Sequence, residues 1–155
     1  KIGLISPEMH WYFDQSATVW HTVTSGFFDS IGLYAEASLQ QKKQVDELSH
    51  FFDLYTVKSE LLSTLPLGKQ RLALLARTVI KNPPLLVLDE PCQGLDQTQT
   101  QYFNDVVDEL CQHGKTLLYV GHYESQLPQS IDHRLVLEKG KIIKPQQNII
   151  LEERV

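Results

Sequence analysis

Leu85-Leu86-Val87-Leu88-Asp89-Glu90, held between Pro83-Pro84 and Pro91, is the stretch that decides how the chain is read. Its apolar run is too short for a helix of ordinary length and suits a strand buried on both faces, as in a parallel sheet. The run stops at two adjacent carboxylates. An exposed strand end would account for them without any chemistry, so the neighbouring segments have to decide.

On the C-terminal side, Pro91-Cys92-Gln93-Gly94-Leu95-Asp96 forms a tight turn. A helix is predicted over 98–112, with Tyr102, Phe103, Val106, Val107 and Leu110 at core spacing and Gly114-Lys115 as its stop. Thr116-Leu117-Leu118-Tyr119-Val120 is a second apolar strand, and it runs straight into Gly121-His122. Strand, helix and strand with connections this short imply a right-handed parallel unit. His122 would then share the carboxyl edge with Asp89 and Glu90, where open α/β sheets bind ligands.

On the N-terminal side, Leu72, Leu75, Ala76, Val79 and Ile80 recur at helical spacing, defining an amphipathic helix entered from a Pro-Gly turn and stopped before Pro83. A glycine-bearing turn feeding a helix can hold phosphate, because first-turn N–H groups are unpaired and the helix dipole favours an anion. Most such helix starts bind nothing.

Farther out, Ile2-Gly3-Leu4-Ile5 is an apolar segment that begins without a leading loop or cap, as expected if something upstream is left out. A polar loop follows over 6–14, with His10, Trp11, Tyr12 and Phe13 crowded together. A helix with a cap-like start at Ser16 carries Val19, Trp20, Val23 and Phe27, and a second over 36–55 places Leu39, Val45, Leu48, Phe51, Phe52 and Tyr55 on one face. Neither holds a recognisable catalytic set, so both read as a helical subdomain. Near the end, 135–138 and 141–143 read as a hairpin across Lys139-Gly140, and Ile149-Ile150-Leu151 could cap the core or contact another subunit.

At 155 residues the chain suits about one domain, and 42% hydrophobic with 21% charged residues is the balance of an ordinary globular protein. A net charge of −5 argues against a broad, sequence-independent grip on nucleic acid. No apolar stretch reaches the roughly 18 residues of a membrane span. The N-terminus lacks a signal-peptide pattern, so a cytoplasmic setting is the default expectation. Cys92 and Cys111 lie far apart without Cys or His companions at metal spacing, which argues against structural zinc and fits a reducing compartment.

The order of these pieces, a glycine before Gln70-Arg71, then 85–91, then Gly94-Leu95-Asp96, then His122, resembles the second half of the nucleotide-binding domain of ABC-type ATPases from about Ile2 to Ile143. The resemblance implies an α/β, P-loop NTPase-like parallel-sheet core, incomplete here, with a helical subdomain. It divides the chain into 1–15 (core strand and Q-loop region), 16–64 (helical subdomain) and 65–155 (signature helix, Walker B, D-loop and H-loop). Asp89 corresponds to the Walker B carboxylate that holds Mg²⁺, mostly through water, and Glu90 to the general base. Asp96 resembles the D-loop aspartate that communicates across the nucleotide-sandwich dimer, and His122 the switch histidine at the γ-phosphate. Leu65-Pro66-Leu67-Gly68-Lys69 takes the place of the signature motif, which usually reads Leu-Ser-Gly-Gly-Gln and binds ATP held by the opposite subunit.

Three departures accompany the resemblance. Pro66 replaces the signature serine, removing a hydroxyl and an N–H, while Lys69 replaces the glutamine and could supply charge instead. Ser6-Pro7-Glu8 stands where a Q-loop glutamine is usual. No Gly-x-x-x-x-Gly-Lys-[Ser/Thr] occurs, so the family's phosphate-cradling loop would lie upstream and the chain by itself is expected to bind ATP poorly or not at all. Within the family the single-glycine signature resembles the soluble tandem-domain proteins of the molybdate-transport or photorepair group. The implied ligands are ATP and Mg²⁺. The implied partners are a second nucleotide-binding domain, in tandem or as a homodimer, and in a transporter a membrane subunit. The alternative is a catalytically degenerate module of the same fold that acts in dimerisation or regulation. A DNA-repair ATPase shares the motif order but usually carries a long coiled coil before the signature.

Overall fold

The computed structural model describes residues 1–9, 16–28 and 35–147. The aromatic cluster at 10–13 and the apolar tail at 149–151 lie outside the described residues.

Three short strands form a parallel sheet in the order β1 (Ile2–Ile5), β2 (Leu85–Asp89), β3 (Thr116–Val120). Ile5 lies beside Leu88, Leu88 beside Tyr119, and Asp89 beside Val120. The crossover from β2 to β3 is α4 (Gln97–Gln112), the helix expected over 98–112. Between β1 and β2 come α1 (Val19–Ser25), α2 (Leu39–Phe51) and α3 (Leu67–Val79). One continuous cluster of buried side chains joins the sheet residues Ile5, Leu86 and Leu88 to α3, α4 and the helical segment of Val19, Val23, Val45 and Phe52.

Local chemistry sets the helix limits. Thr18, rather than Ser16, caps α1 by accepting the His21 N–H at 3.2 Å. Ser38 and Gln41 close a reciprocal capping box on α2, which therefore starts later than position 36 and ends at Phe51. The single apolar face expected over 36–55 is thus corrected at both ends: Leu39, the first helical residue, is exposed, and Tyr55 lies beyond the helix in a short 3₁₀ turn. Tyr55 instead stacks on His50 at 3.8 Å, with Lys58 over its ring. On α4, Phe103, Val106, Val107 and Leu110 are buried as expected, but Tyr102 faces solvent.

The expectation of a strand buried on both faces is also corrected. Leu86 and Leu88 are completely buried under α3 and α4, whereas Leu85 and Val87 on the opposite face are only half-buried. Their neighbours on that face, Ile2, Leu4, Leu118 and Val120, are 67%, 50%, 55% and 44% exposed. Among the described residues, nothing seals this face of the sheet. The predicted hairpin is present and longer than expected, β4 (His133–Glu138) pairing with β5 (Lys141–Gln147) through Lys139 and Gly140, both at positive φ.

Candidate active site

The carboxyl edge of the sheet is built from the end of β2 and the segment after β3. Strand β2 ends at Asp89, and Glu90 turns out of the sheet at φ 45°, a left-handed conformation unusual for a non-glycine residue. The Glu90 N–H donates to the Val120 carbonyl at 2.9 Å, fixing where the chain leaves the sheet. An ionised carboxylate only accepts, so in the 2.6 Å contact between His122 and Glu90 the imidazole Nε2–H donates to Oε1. The Glu90 side chain is 26% exposed and that of His122 70%, so the carboxylate is partly sheltered while the imidazole faces open space. A cavity of about 300 Å³ adjoins the pair, lined by Glu90, Cys92, Gln93, Tyr119, His122 and Gln126 among others. Neither Asp89, Asp96 nor the signature residues line it.

The turn after Glu90 joins this edge to the signature segment. Gln93 N–H bonds back to the Glu90 carbonyl, and Gly94 takes φ 83°, where a Cβ would approach Leu67 Cδ2 at 3.1 Å. Asp96 then caps α4, accepting the Gln99 N–H at 2.8 Å. The aspartate expected to communicate across a dimer is therefore also a helix cap within its own domain.

The signature glycine is placed differently from expectation. Gly68 lies inside the first turn of α3 rather than in a turn before it, and Pro66 is the N-cap with no side-chain bond to the helix. A Cβ on Gly68 would come within 3.3 Å of the Gln99 side chain, so small size there permits close approach of α3 to the start of α4. Leu65 is buried in the core, and its carbonyl accepts from Gln70 Nε2 at 2.7 Å. Lys69 Nζ is bound by the Asp53 carboxylate and by the Asp53 carbonyl. The charge expected to stand in for the signature glutamine is thus committed to the helical segment, with Asp53 held at φ 52°.

The buried polar residues Arg71 and Asn104 and the half-buried Tyr119 were not singled out by sequence reasoning. Arg71 reaches the Gln93 carbonyl at 3.4 Å, yet its Nε and Nη1 are buried without a partner, and burial pushes its pKa down. Asn104 donates from Nδ2 to the Gln126 carbonyl at 2.9 Å, and Tyr119 Oη lies 3.4 Å from Cys92 Sγ and 3.3 Å from the same carbonyl. Burial pushes the Cys92 thiol and the Tyr119 phenol above their usual values, so both keep their protons near neutral pH. The available signal was a polar residue beside a core position on an amphipathic helix, Asn104 beside Phe103, which is too common to single out.

Among the described residues no group of three or more His, Cys, Asp and Glu side chains could hold a metal ion. Asp89, at the end of β2, offers an oxygen donor of the kind Mg²⁺ takes when phosphate and water complete its shell, so it fits a shared ion and not a protein-only cage.

Comparison with known proteins identifies the family of the chain. The ABC transporter family model matches residues 3–93. The ABC transporter ATP-binding protein ModF of Escherichia coli (strain K12) is 40% identical over 139 residues, 86% of this chain and 28% of that protein. The thiamine import ATP-binding protein ThiQ of Haemophilus influenzae is 32% identical over 133 residues, 85% of this chain and 60% of that protein. The chain therefore spans less than two thirds of the length of either relative. An ATP-binding cassette of an ABC transporter superposes over 94% of this chain and 60% of its own, with TM-score 0.78 at 20% identity, which is a likeness of fold. With that family model covering more than half of its length, the chain belongs to the ABC transporter family, as a part of its ATP-binding domain.

Proposed function

We propose that this chain supplies the Walker B half of an ATP-hydrolysing site formed between two nucleotide-binding domains of the intact protein, in tandem or as a homodimer. The observation that carries the reading is the 2.6 Å bond between Glu90 and His122 at the carboxyl edge of a parallel sheet. Glu90 accepts a proton from the water that attacks the γ-phosphate, and His122 holds the carboxylate in place while its exposed ring meets the phosphate. Asp89 would hold Mg²⁺, mostly through water, and the ion would neutralise phosphate charge. The N-terminus of α3, whose first turn begins with Leu67 and Gly68 and lacks a side-chain cap, faces the nucleotide of the opposite domain. Residues 16–64 serve as the helical subdomain, the surface a membrane subunit would contact in a transporter.

The test is Glu90→Gln in the full-length protein. Hydrolysis should fall by roughly 10²-fold or more while ATP binding is kept, the size of effect expected for loss of a general base. Undiminished turnover would overturn the assignment. A degenerate module used for dimerisation has one observation in its favour: Pro66 offers no donor and Lys69 is tied to Asp53. ATP binding without turnover in the unmodified protein would establish that reading instead.

A further inference from the structure

Asn104 is buried on the apolar face of α4, between Phe103 and Val106, a position where an amide is costly unless it is bonded. Its bonds run to two different segments. Nδ2 donates to the Gln126 carbonyl at 2.9 Å, and Oδ1 faces Cys92 Sγ at 3.8 Å. Because the Gln126 carbonyl can only accept, the amide nitrogen must be the atom that faces it. Tyr119 Oη sits within reach of both the same carbonyl and the same sulfur. Gln126 ends the 3₁₀ turn Glu124–Gln126, which anchors the loop that begins at Gly121-His122. Cys92 lies two residues after Glu90, in the turn that also carries Asp96.

We infer that Asn104, assisted by Tyr119, is a positioning residue for the Glu90–His122 pair: it fastens the histidine loop and the turn after Glu90 to one buried point on α4. The inference rests on the catalytic reading of that pair for its kinetic consequence, but its structural half does not. The exposed His122 ring bonds to Glu90, and the loop that carries it is tied at its far end by the bond from Asn104 to the Gln126 carbonyl. A buried side chain that spans two segments can set their separation more finely than two exposed loops can, and small displacements of reacting groups are costly to rate.

The experiment uses the full-length protein with Asn104→Leu, which keeps the volume and removes the donor, and Tyr119→Phe, which removes one hydroxyl. Hydrogen exchange over 121–127 and steady-state ATP turnover are read on each. Asn104→Leu should raise exchange over 121–127 about tenfold and leave 39–51 unchanged. It should lower kcat about ten- to a hundredfold, with KM for ATP altered less than about twofold. Tyr119→Phe should move the same readouts in the same direction by less. A folded Asn104→Leu protein with wild-type exchange over 121–127 and wild-type kcat overturns the inference. If that variant does not fold, wild-type exchange and kcat in Tyr119→Phe overturn it. If the unmodified protein has no turnover, the catalytic reading fails by itself, and exchange still decides whether Asn104 anchors the loop.

Discussion

At Glu90 the backbone takes φ 45° and the side chain meets His122 from a strand that has just ended. A left-handed residue without glycine persists only where its surroundings enforce it, here the bond from its N–H to Val120 and the return bond from Gln93. Asp96, expected at a dimer contact, is in the structure the cap of its own helix. As the cap of α4 it holds the Gln99 N–H, so Asp96→Ala should cost about 1 kcal/mol in chemical denaturation, while Asp96→Asn should stay within about 0.5 kcal/mol of the parent. Equal loss in both variants would mean that the charge, and not the cap, carries the effect. Glu90 and His122 were visible in the sequence because each follows the end of an apolar strand, whereas Asp96 was singled out only by the family resemblance. The fate of Lys69 was not visible, because its partner Asp53 sits in another segment whose place against α3 depends on tertiary packing.

At the scale of elements, the strands and the crossover helix follow closely from periodicity: the segments expected at 85–88, 98–112 and 116–120 are β2, α4 and β3 within a residue or two. Element ends were less legible. Helix α2 is cut short of 36–55 by a capping box at its start and by Asp53 in the left-handed region after its end, and the latter outweighs an apolar pattern that continues past Phe51. Gly68 was expected to precede its helix, but Pro66 is the N-cap and the helix begins at Leu67, so the glycine becomes part of the first turn. Buried Asn104 and Arg71 escaped notice because periodicity records which positions are apolar, and not which buried polar atoms find partners.

Across the whole molecule, the largest departure from an ordinary parallel sheet is the apolar face of Ile2, Leu4, Leu118 and Val120. Parallel sheets are normally covered on both faces, so the intact protein should bury this one. Leu118→Asp in the full-length protein should then lower unfolding free energy by roughly 3 kcal/mol, visible as a fall of several degrees in Tm, from an unpaired charge carried into an apolar layer. A change within about 0.5 kcal/mol would mean the face stays in water. Among the described residues no helix is long and apolar enough to cross a membrane. Glu90 and His122 are proposed to act as one catalytic unit, and a double-mutant cycle on ATP turnover of the full-length protein is the measurement that decides this. Glu90→Gln and His122→Ala should each lower kcat about a hundredfold or more, and the double variant should lie within about threefold of the slower single variant. Losses that multiply in the double variant, or wild-type turnover in His122→Ala, would contradict it.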